Sequence, residues 1–95
     1  MEITEKNMVG YTSIMSGSDS AYTVRGSVRV IDSKLQGVDM GTVTSIANKT
    51  EVATFNRQVS NNYLNVTFND GTASQRSGIL DSIEAYLTAV DKLTL

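Results

Sequence analysis

The chain has 95 residues, 40% of them apolar and 19% charged, and carries a net charge of −2. That length makes one domain with one modest core, and the acidic balance argues against nucleic acid or an anionic membrane as a partner, since both reward a basic surplus. With neither Cys nor His, the chain has no disulfide, no thiolate nucleophile, no cysteine or histidine metal site and no imidazole base.

The reading is a single domain over residues 1–95, with 1–6 polar and expected to fray, 7–76 mostly β, and 77–93 helical. Met1 to Val9 lacks the basic start and apolar centre of a secretory signal, and no run approaches the ~18 apolar residues of a membrane span. The expectation is therefore a cytoplasmic protein with no membrane contact. Asn48-Lys49-Thr50 and Asn65-Val66-Thr67 match the glycosylation sequon and, without a secretion signal, read as chance.

Asn7–Met15 predicts a first strand that is apolar on both faces, with Val9, Tyr11 and Met15 on one and Met8 and Ile14 on the other. Ser16–Ser20 reads as a turn. Ala21–Asp32 is the clearest strand: Tyr22, Val24, Gly26, Val28 and Val30 alternate with Thr23, Arg25, Ser27, Arg29 and Ile31. Gly26 on the apolar face implies a bulge or the close approach of another element, such as a helix. Leu35–Gly41 has no period and reads as a short edge strand or a loop. Thr42–Ala47 and Thr50–Val59 predict strands joined by a two-residue turn at Asn48-Lys49, the second again apolar on both faces through Val52, Ala53, Phe55 and Val59. Tyr63–Asn69 predicts a strand with Leu64, Val66 and Phe68 inward and Tyr63, Asn65 and Thr67 outward.

Asn69-Asp70-Gly71 is the strongest turn signal. Beyond it two continuations compete. Thr72–Arg76 pairs back as a short strand and Ser77 caps the helix, or Thr72 caps directly with Gln75 as its reciprocal partner. The first is preferred, because Gly78 is costly inside a helix and harmless in its opening turn. From Ser77 to Leu93, Ile79, Leu80, Ile83, Tyr86, Leu87, Val90 and Leu93 form an apolar stripe, with Asp81, Ser82, Glu84, Thr88, Asp91 and Lys92 on the other side. A helix this short needs a surface to cover its stripe. The fold predicted is α+β: an antiparallel β-meander of four to six strands with one C-terminal amphipathic helix packed on one face.

No phosphate-binding glycine loop occurs. Asp81, Glu84 and Asp91 read as a solvated helix face, since helical spacing alone does not converge ligands on an ion. A carboxylate pair from Asp32 and Asp39 has nothing to set its geometry. No cofactor, metal site or catalytic residue is expected, and the chain reads as non-enzymatic. Arg25 and Arg29 project from one strand face and, with Tyr63 and Arg76, make the candidate binding face; the plain alternative is a solvent face with cross-strand ion pairs to acids such as Glu51. The two-sided apolar strands suggest that another chain covers part of the sheet. The function expected is a small protein-binding or assembly module whose partner is another protein or itself, with a homo-oligomer slightly favoured. Its composition suits a bacterial or bacteriophage accessory protein or inhibitor. The alternative is a nucleic-acid or phosphorylated-ligand binder using the Arg25/Arg29 face.

Overall fold

The computed structural model describes residues 1–9, 12–69 and 71–93. These form strands β1 (Glu2–Val9), β2 (Thr12–Ser18), β3 (Tyr22–Ile31), β4 (Lys34–Ser45), β5 (Glu51–Gln58) and β6 (Tyr63–Phe68), then helix α1 (Ala73–Leu93). The strands make one antiparallel sheet in the order β1-β2-β3-β4-β5-β6, and the helix packs on one face, mainly against β1, β3 and β4. The predicted α+β meander is the observed fold.

The core lies between helix and sheet. Met15, Val24, Val28, Val38, Val43, Ala53 and Phe55 meet Ile79, Ile83, Tyr86 and Val90, all buried. Its centre is aromatic: Phe55 and Tyr86 pack edge to face with centroids 6.0 Å apart. Two glycines make room for this pair. A Cβ on Gly26 would come within 2.5 Å of Val38 and 3.3 Å of the Tyr86 hydroxyl, and one on Gly41 within 2.4 Å of the Phe55 ring. Both features that a glycine on the apolar face implies are present at Gly26: the close approach of the helix, and a register shift of β3 against β4 between Arg25 and Ser27. The Tyr86 hydroxyl donates to the Met15 carbonyl at 2.8 Å, so the buried phenol is satisfied.

Several boundaries differ from expectation. Residues 1–6 do not fray: most of them lie in β1, which pairs with β2 along Glu2↔Ser18 to Val9↔Thr12. An edge strand with one half-covered face needs few apolar residues, which hid it. The expected first strand is therefore parts of two, and Ser16-Gly17-Ser18 is strand; the turn is at Asp19. Leu35–Gly41 belongs to the long strand β4, whose register shifts twice against β5 and so scrambles the period. The β4–β5 connection runs over residues 46–50, longer than a two-residue turn.

The helix starts at Ala73, and no strand forms over 72–76. Thr72 caps it: the Gln75 backbone NH donates to Thr72 Oγ1 at 3.3 Å and the Thr72 NH to Gln75 Oε1 at 2.8 Å. This reciprocal pair satisfies two end donors and outweighs Gly78 in the interior. Leu80 and Leu93 are exposed rather than in the stripe, while Ser82 is buried. Nor is β5 apolar on both faces. Val52 packs with the core beside a register shift, and Val59 lies past the strand end. Tyr11 and Asp70 lie outside the described residues.

Candidate binding surfaces

Alternation puts polar side chains on the sheet face away from the helix. One cross-strand row runs Glu5–Ser16–Arg25–Thr42–Thr54–Thr67 through all six strands. Arg25 Nε donates to Glu5 Oε1 at 2.9 Å, and Arg29 Nε to Asp39 Oδ2 at 2.5 Å with a longer second bond of 3.4 Å. The anticipated ion pairs exist, but with Glu5 and Asp39, not Glu51. Both are surface pairs, each worth about 0–1 kcal/mol. Asp39 is thus committed to Arg29, while Asp32 sits in the β3–β4 turn at φ 52°.

Tyr63 shares this outer face. The register Arg29↔Gly37↔Gln58↔Tyr63 separates it from Arg29 by three strand steps, ~14 Å at the usual spacing. Arg76 does not share it. Its guanidinium lies 5.3 Å from the centroid of the Phe68 ring, on the helix side. The four residues of the candidate face are therefore three on one side of the sheet and one on the other. Arg57 also belongs to the helix side. It bonds Asn62 Oδ1 at 2.9 Å and lines a cleft with Leu64, Leu87, Glu84 and Asp91.

A feature without a clear sequence signal is the contrast between the two sheet edges. β1 carries Glu2, Glu5 and Lys6 and a register shift between Ile3 and Glu5, devices that discourage further pairing. β6 carries no charge, no proline and no register shift: its pairing with β5 runs unbroken from Gln58↔Tyr63 to Ala53↔Phe68. The direction of its free hydrogen-bonding groups follows from one bond. The Asn69 NH donates to the Val52 carbonyl at 2.9 Å. In an antiparallel ladder bonded and non-bonded pairs alternate, so Thr67, Asn65 and Tyr63 bond toward β5. The NH and C=O of Leu64, Val66 and Phe68 point outward, and no described strand pairs with them. The side chains of the same three residues face the helix side and stay half-buried, because the helix runs mainly over β1, β3 and β4.

The acidic helix residues read as a solvated face, and among the described residues no group of three or more carboxylates is placed to hold a metal ion. One carboxylate has a structural role that spacing alone hides. Asp19 in the β2–β3 turn accepts the Ala21 and Tyr22 NH at 2.9 and 2.8 Å through Oδ1, and the Ser82 hydroxyl through Oδ2. Partial burial pulls its pKa up, but the hydrogen bonds from Ser82, Tyr22 and Ala21 outweigh this and hold it below the ordinary value. Burial pushes the Tyr86 phenol well above the usual tyrosine range, so it remains a donor. No helix among the described residues is long and apolar enough to cross a membrane. No protein-family model, curated protein or solved structure matches the chain.

Proposed function

We propose that this chain is a small non-enzymatic protein-binding or assembly module that works by adding an extended strand to its β6 edge. The observation that carries this reading is the edge itself: uncharged, regular, with three outward backbone donors and acceptors above a half-buried apolar stripe. Edge addition draws affinity from main-chain bonds and selectivity from alternate side chains, and needs no catalytic residue. The alternative, a nucleic-acid or phosphate binder on the Arg25/Arg29 face, is less well supported, because each guanidinium already has a carboxylate and the net charge is −2.

The test is a titration of isotope-labelled protein with an extended peptide of alternating Val and Thr, followed by amide NMR. Shifts centred on Leu64, Val66 and Phe68 are expected. Shifts centred on Arg25 and Arg29 instead, or salt-dependent oligonucleotide binding abolished by the double substitution Arg25→Ala, Arg29→Ala, would transfer the function to the outer face.

A further inference from the structure

We infer that the strand accepted by β6 is the β6 of a second copy, related by a two-fold axis that passes between the two copies' Val66, so that two sheets join into one with both helices on the same side. The inference rests on the edge reading above and supplies its partner. Three observations lead to it.

The first is the hydrogen-bond register. The outward groups are those of Leu64, Val66 and Phe68. In an antiparallel self-pairing centred on Val66, Val66 faces Val66 and Leu64 faces Phe68 as bonded pairs. Every outward group within Tyr63–Phe68 then finds a partner. A centre at Asn65 would send Phe68 to Asn62, which lies in a turn at φ 53°, and a centre at Thr67 would set Leu64 against position 70, past the end of β6 at Phe68.

The second is the side-chain match. On the helix side this register sets Leu64 against Phe68 and Val66 against itself, extending the apolar stripe that the helix leaves half-covered. On the outer side it sets Asn65 against Thr67, polar against polar. No charged residue of β6 meets its own image, whereas β1 would bring Glu2, Glu5 and Lys6 to the seam.

The third is charge. Arg76, stacked on Phe68, has no carboxylate partner among the described residues. Pairing Phe68 with Leu64 carries it toward the second copy's cleft beside Leu64, which holds Glu84 and Asp91 with Arg57. That cleft is net acidic. Six strand residues span only ~20 Å, so the seam falls in the small class of interfaces and is expected to dissociate on dilution.

The chain has no cysteine, so an introduced one is the sole thiol. Asn65→Cys and Thr67→Cys are exposed, outward substitutions that leave the core intact. In the proposed register Asn65 of one copy lies directly opposite Thr67 of the other, at a spacing a disulfide spans. Each residue is offset from its own image by two positions. Under mild oxidation the mixed pair should therefore form a disulfide at least tenfold faster than either variant alone. Self-linking of either variant at the mixed rate would overturn the register. No linking in any combination would overturn the second-copy inference. Peptide-induced shifts at Leu64, Val66 and Phe68 would then still uphold the edge reading, and their absence would remove both.

Discussion

Gly41→Ala tests the aromatic centre of the fold. Gly41 has an ordinary backbone conformation, so alanine there should by itself stabilise by about 0.4–1 kcal/mol through the unfolded state. The packing reverses that sign. The new Cβ would lie 2.4 Å from Phe55, about 1 Å short of the 3.4 Å at which ordinary contact begins. The ring has little freedom to yield, being buried and held edge-on by Tyr86, whose hydroxyl is tied to Met15. Overpacking of this kind costs about 1–3 kcal/mol, against a total of about 5–15 kcal/mol for a domain. Urea unfolding followed by circular dichroism should show the midpoint falling with the slope unchanged. Phe55→Leu removes Cε1 and Cζ, the two ring atoms that a Cβ on Gly41 would meet most closely. In the double variant Gly41→Ala should cost markedly less than in the wild type, a coupling of about 1–2 kcal/mol. A Gly41→Ala change neutral or stabilising, or strict additivity with Phe55→Leu, would mean that the ring is not seated over Gly41.

Tyr86→Phe removes the donor to the buried Met15 carbonyl, with a loss of about 1–2 kcal/mol by urea unfolding. Thr72→Ala should cost about 0.5–2 kcal/mol and shift the fraying of the first helical turn in amide exchange, since it removes one half of a reciprocal cap. Asp19, with a folded-state pKa below its ordinary 3.8, contributes stability that is present above that value and is lost as pH falls through the lower folded-state value. Asp19→Asn should therefore be less stable than wild type at neutral pH, and the gap should narrow as pH falls below the ordinary 3.8. A gap that does not change with pH would assign the loss to geometry alone.

What was legible in the sequence was what periodicity carries. The alternation in Tyr22–Ile31 and Tyr63–Phe68 located β3 and β6, and Ile79, Ile83, Tyr86 and Val90 located the buried side of the helix. Gly26 on the apolar face implies a bulge or the close approach of another element, and both occur there. Illegible elements had a period that was broken or weak. The bulges of β4 disguised a twelve-residue strand, in which Met40 takes a positive φ of 50° and is 76% exposed. The half-covered edge strand β1 looked like a polar tail. The helix start turned on a choice between a glycine penalty and a capping pair, and the pair outweighed it. Of the candidate face, Arg25, Arg29 and Tyr63 lie on the outer side of the sheet and Arg76 on the helix side over Phe68, a division that depends on strand order and on where the helix starts. The β6 edge has no composition signal. Its availability depends on strand order, which no local pattern encodes.

The edge is tested most directly by amide hydrogen exchange of the wild-type chain as a function of concentration, read at neighbouring residues of β6. The Thr67 NH is bonded within the sheet and the Val66 NH points outward, so Thr67 should be protected at every concentration and serves as the internal reference. Val66, with Leu64 and Phe68, should exchange quickly in dilute protein and slow as concentration rises, in step with a mass growing from 10.3 kDa toward twice that value. Fast exchange at Val66 at all concentrations, with the mass fixed at one chain, would contradict self-pairing. Full protection of Val66 in the dilute monomer would show the edge already covered and would remove the binding surface itself.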